Sequence, residues 1–83
     1  MSYKSKFKIN DVVEIYPYND IEDHLGIPKM YWDYLYNECV YLKIQSIHET
    51  TAQAYYHFQN RNYSWREDFI KAALHLSEEL FEL

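Results

Sequence analysis

The sequence predicts a single mainly-β domain of four or five short strands, with one inserted helix and a C-terminal amphipathic helix. Three observations predict it. Apolar and polar residues alternate along 12–16, 40–47 and 52–58, the period-two pattern of half-buried strands. Apolar residues after Pro28 and again after Ser64 recur at helical spacing instead. Finally, 83 residues suffice for one domain, and 19% aromatic content (ten Tyr, four Phe, two Trp) supplies the dense core that so short a chain needs. With one glycine and two prolines the chain does not read as disordered, and it has no Gly-rich phosphate loop.

Residues 1–6 read as a frayed polar end. The first strand follows a tight turn at Asn10-Asp11, where asparagine accepts a positive φ in place of glycine. Val13 and Ile15 form its core face. Pro17 ends it, and an acidic loop runs from Tyr18 to Gly26. Pro28 starts a short helix over Lys29–Asn37, with Met30 or Tyr31, Tyr34 and Leu35 on its apolar face. In the next strand Val40, Leu42 and Ile44 point inward. Ile47 falls out of step, which predicts a bulge or a strand end. His48 to Thr51 reads as a turn. Ala54, Tyr56 and Phe58 share the inner face of the following strand, Gln59 to Asn62 reads as a hairpin loop, and Tyr63 to Trp65 returns. Ser64-x-x-Glu67 matches a capping box opening a helix over 65–83. Phe69, Ala73, Leu76, Leu80 and Leu83 form one apolar row along it; Ile70, Leu74 and Phe81 form a second.

Three pieces carry a resemblance: Phe7-Lys8-Ile9-Asn10-Asp11-Val12-Val13-Glu14-Ile15, the strand at 40–47, and Tyr63-Ser64-Trp65-Arg66-Glu67-Asp68-Phe69-Ile70. Together they resemble the opening, central and closing strands of small SH3-like β-barrels from bacteriophages and other mobile elements. The match covers residues 7–70. It departs from the family pattern at Asn10, where glycine is usual, and in the apolar tail from Ala72 to Leu83. The resemblance implies a barrel and no catalytic residues. Because some small phage members of this kind block host nucleases and other defence proteins, it also implies an inhibitory role, for example against a CRISPR nuclease in the host cytoplasm.

Charge points the same way. The formal net charge is −5. Lys4, Lys6 and Lys8 supply three of the eight basic residues, and all thirteen acidic ones lie beyond them. Most of the domain therefore repels a phosphate backbone and attracts a basic partner. Tyr16, Tyr18, Tyr31, Trp32 and Tyr36 are candidate anchors of a protein-binding face. Asp20, Glu22, Asp23 and Asp33 are its candidate acidic rim. Leu76, Leu80, Phe81 and Leu83 are candidates for self-association into a homodimer, which makes a self-associating regulatory or structural module the alternative reading.

Other chemistry is less supported. A platform of Tyr41, Tyr55 and His57 suits base stacking, but its cations reduce to Lys43, Arg61 and the N-terminal lysines, so a nucleic-acid-binding barrel ranks third. His24, His48, His57 and His75 lack metal-ligand spacing. Cys39 has no neighbouring base to stabilise a thiolate, and as the only cysteine it forms no internal disulfide. No enzyme activity, cofactor or metal is expected. No membrane span or secretion signal is expected either, and a cytoplasmic location follows from these expectations.

Overall fold

The computed structural model describes residues 3–38 and 42–73. Five strands and one helix follow in the order β1 (Val12–Ile15), α1 (Lys29–Glu38), β2 (Leu42–Glu49), β3 (Ala54–Phe58), β4 (Trp65–Arg66) and β5 (Ile70–Ala72). A 3-10 turn at Tyr18–Asp20 follows β1, and a second at Glu67–Phe69 joins β4 to β5. The strands form one open antiparallel sheet in the order β4-β3-β2-β1-β5. The mainly-β expectation is met, and five strands fall within the expected number.

Local chemistry explains the turns. Asn10 adopts φ 77°, and the Lys8 amide donates to the Asp11 carboxylate at 2.8 Å, which closes the entry to β1. Val13 and Ile15 face the core as the alternation required. The β2–β3 turn lies later than expected. β2 runs on to Glu49, and the Thr50 hydroxyl then accepts the Ala52 and Gln53 amides at 3.3 and 3.0 Å. Asn60 supplies a positive φ of 58° after β3.

A bulge in β2 accounts for the misfit of Ile47. Ile44 pairs with Phe58 but Ser46 pairs with His57, so two steps along β2 match one along β3. The extra residue returns Ile47 to the inner side, where it packs half-buried against the core. Without that shift Ile47 would face outward with Lys43.

The helix buries Leu35 as expected, but Trp32 and not Tyr34 joins it in the core. Trp32 and Leu35 are fully buried, while Met30 and Tyr34 are 85% and 52% exposed. Trp32 is the hub. Its ring lies 4.9 Å from Trp65 and 5.0 Å from Phe69, and its Nε1–H donates to the Tyr16 carbonyl at 2.8 Å. It therefore links helix, β1, β4 and the second turn in one aromatic cluster.

The largest correction concerns the C-terminal helix. Over 65–73, two short strands and a 3-10 turn stand where that helix was expected to begin; residues 74–83 lie outside the described residues. The second turn has no side-chain cap, so Ser64 and Glu67 form no capping box. β5 instead extends the sheet by pairing with β1, Ile15 opposite Ile70 and Glu14 opposite Lys71. The return strand is also shorter than expected, because Tyr63 sits at φ 71° and β4 starts at Trp65.

Trp65 is fully buried, with its Nε1–H donating to the Asn62 carbonyl at 3.2 Å. Trp65→Ala is expected to lower the unfolding free energy by about 3–5 kcal/mol. Urea titration measures it, and a loss of less than about 1 kcal/mol would show that the cluster closes over the gap.

Candidate functional site

Glu67 is the one buried charged residue among the described residues, at 6% exposure. It has the partners that a buried carboxylate needs. The Tyr3 hydroxyl donates to one oxygen; the Lys6 amide and the Tyr56 hydroxyl donate to the other, each at 2.8 Å. The Tyr3 amide further donates to the Thr50 carbonyl, and the Ser5 amide to the Glu49 carboxylate, both at 2.7 Å. Residues 3–7 are thus a strap tied across the domain rather than a frayed end. Burial alone would raise the Glu67 pKa, but the Tyr3, Lys6 and Tyr56 hydrogen bonds outweigh it and hold the group below the ordinary carboxylate range. Tyr56 is pushed up to about 12, first by burial and then by its bond to that carboxylate. With every oxygen engaged, Glu67 is a structural tie and not a general base.

The candidate binding residues lie around the first 3-10 turn. Tyr18 is half-buried, and the His24 ring stacks on it at 3.6 Å with an interplanar angle of 4°. His24 Nε2–H donates to the Tyr18 carbonyl at 2.8 Å, and Trp32 meets both rings edge-on. The loop thereby holds a rigid aromatic stack. Asp23 accepts the Leu25 amide at 3.1 Å and lies 3.9 Å from Arg66. Arg66 also grips Asp68 with two bonds of 2.6 and 3.1 Å, and its guanidinium lies 4.9 Å from the Phe69 ring centre. This chain of contacts brings the acidic loop against the second turn.

Two hollows border the first turn. One, of about 430 Å³, is lined by Lys6, Tyr16, Asp20, Ile21, Asp68 and Ile70 beside Glu67. The other, of about 250 Å³, lies between the turn and α1 and is lined by Tyr18, Lys29, Asp33 and Tyr36. Seven of the nine candidates therefore converge: Tyr16, Asp20, Asp23, Tyr18, Asp33 and Tyr36 by contact, and Glu22 as an exposed residue of the same loop. Trp32 does not join them as an anchor. It is fully buried, because its indole supplies the helix's main core contact. Tyr31 is also diverted: its hydroxyl accepts the Asn62 amide at 2.9 Å and its ring lies 5.2 Å from Tyr63. Leu76, Leu80, Phe81 and Leu83 lie outside the described residues. The sequence reading missed His24 as the stacking partner and Met30 as an exposed side chain. The i,i+4 pair Lys29–Asp33, which marks the outward side of the helix, was the available signal.

Elsewhere, Ser46, Ile47, His48, Tyr55, His57 and Ser64 line a shallow cleft of about 390 Å³. His57 Nε2 and the Ser64 hydroxyl share a hydrogen bond of 2.8 Å. Among the described residues no carboxylate is hydrogen-bonded to the other ring nitrogen, the position that the third member of a nucleophilic triad takes. No group of three or more metal-ligating side chains occurs among the described residues. Nor is any helix there long and apolar enough to cross a membrane.

The strap gives the stability a definite pH dependence. Glu67 has a lower pKa folded than its ordinary 4.5, so its contribution is full above that value and disappears as pH falls through the folded one. Tyr56 has a higher pKa folded than its ordinary 10.0, so its contribution is full below 10 and disappears as pH rises through about 12. Urea midpoints measured across pH are expected to fall on both sides of this window. Glu67→Gln should weaken the acid-side slope and Tyr56→Phe the alkaline one; unchanged slopes would mean that other groups set them.

No protein-family model, curated protein or solved structure matches the chain.

Proposed function

We propose that this protein is a non-enzymatic protein-binding module built on an SH3-like barrel, and that it engages a basic surface of a partner. The observation that carries the reading is the convergence around the first 3-10 turn. Asp20, Glu22, Asp23 and Asp68 are exposed there, beside the Tyr18–His24 stack and the partly exposed rings of Tyr16 and Tyr36. Preorganised aromatics supply contact area at small entropic cost, and carboxylates around them favour a cationic partner and speed its approach. The barrel assignment draws support from the strand order, with β1 between β2 and β5 and a 3-10 turn leading into β5.

The partner class we favour is a protein whose basic surface otherwise holds nucleic acid. Carboxylates presented on a rigid turn occupy positions where phosphates would lie. A phage-encoded inhibitor of a host defence nuclease fits that chemistry, and host cytoplasm is the corresponding location.

The test is capture of partners from bacterial lysate by the immobilised protein at low and high salt. Capture should weaken as salt rises and should be competed by excess nucleic acid. The double reversal Asp20→Lys/Glu22→Lys should lower recovery about tenfold, since both side chains are exposed and neither carboxylate is bonded to another side chain among the described residues. Capture that strengthens with salt, or that ignores the reversal, would overturn the reading.

A further inference from the structure

The hollow between the first 3-10 turn and α1 already holds a cation. Lys29 Nζ lies 2.6 Å from an Asp33 carboxylate oxygen and 5.5 Å from the centre of the Tyr18 ring. Pro17, Tyr36 and Asn37 complete the walls. An anion, an aromatic face and a concave shape around an ammonium are the parts of a cation subsite. We propose that this hollow receives an arginine side chain of the partner, and that Lys29 fills it while the protein is free.

Three features carry the proposal. The first is that Lys29 is weakly held. Its side chain is 59% exposed, and an exposed ion pair contributes little. It is also the first residue of α1, where the helix dipole disfavours a positive charge, and its lysine-before-aspartate order is the poorer one at i,i+4. Swinging it into water therefore costs little. The second is that the acceptors stay in place when it leaves. Tyr18 is fixed by the His24 stack and the Trp32 edge, and Asp33 sits on the second turn of a helix anchored by Trp32 and Leu35. The third is the fit to a guanidinium. About 250 Å³ remains open beside the Lys29 ammonium, and Tyr18 and Tyr36 are both among its walls. A planar guanidinium can stack on such a ring and bind a carboxylate through two donors, which an ammonium cannot do.

The inference rests on the protein-binding reading and names the chemistry of one contact within it. The experiment uses the full chain and two small probes, N-acetyl-arginine amide and its neutral citrulline counterpart, followed by amide chemical shifts. The arginine probe should shift resonances of Tyr18, Lys29, Asp33 and Tyr36, and the citrulline probe should not. Asp33→Asn should weaken binding about tenfold or more, as loss of a charged hydrogen-bond partner does. Lys29→Met should tighten it about two- to fivefold, as removal of a weak internal competitor does. Both substitutions lie on the exposed side of α1, and retained dispersion of the spectra confirms folding. Equal shifts from both probes, shifts centred elsewhere, or no effect of Asp33→Asn would overturn the proposal. If a basic protein is captured from lysate and Asp33→Asn leaves that capture unchanged, the subsite falls and the function stands. If the arginine probe binds as expected and no basic protein is captured, the function falls and the subsite stands.

Discussion

The hydrogen bond from the Trp32 indole to the Tyr16 carbonyl fixes α1 against the sheet. Tyr16 directly follows β1, beyond the strand's own ladder, and the indole gives its carbonyl a partner within the protein. The indole ring at the same time packs against both Trp65 and Phe69, which also meet each other edge-on. That single placement orients α1 and supports the Tyr18–His24 stack by its edge. The acidic loop is held between this ring and Arg66. The proposed binding face is thus an extension of the core, and its rigidity has the same source as the stability of the domain.

Glu67 performs a comparable task at the N-terminal side with opposite chemistry. A lone buried carboxylate would be strongly destabilising. Here two phenols and one amide surround it, and two of those donors come from residues 3–7. The strap thereby gains from the carboxylate and the carboxylate from the strap. Because Tyr56 belongs to β3 and Glu67 to the second 3-10 turn, the tie also joins the middle of the sheet to its closing segment.

Much of this was legible in the sequence wherever the signal is local. Val13 and Ile15, and Ala54, Tyr56 and Phe58, show their facing by simple alternation, and Ile47 announced the bulge by breaking it. The Asn10 and Asn60 turns were readable because asparagine replaces glycine at positive φ for a known steric reason. The failures are equally physical. Between Lys29 and Glu38 six of ten residues are apolar or aromatic, spread over nearly every side, so periodicity could not choose between Tyr31 and Trp32. Ser64 and Glu67 have capping-box spacing, but Glu67 is claimed by Tyr3 and Lys6, more than sixty residues away, and no window along the chain contains that competition. The strand character of Ile70–Ala72 likewise depends on β1 as a neighbour, while its residues also fit a helical row.

The positive-φ residues have one consequence of their own. Gly26 is the chain's single glycine, yet Asn10, Leu25, Asn60 and Tyr63 also take left-handed backbone conformations. For Leu25 and Tyr63 that conformation is intrinsically uphill, by about 1–2 kcal/mol each. Leu25 lies near the end of the acidic loop, and the Tyr63 ring packs against Tyr31 in the first turn of α1. Local preference and tertiary structure therefore disagree at two points that flank the helix, and nowhere does the disagreement fall within the sheet. The molecule concentrates its frustration at its rim. Among the described residues the strained backbone therefore lies in the loops, and the strands carry none of it.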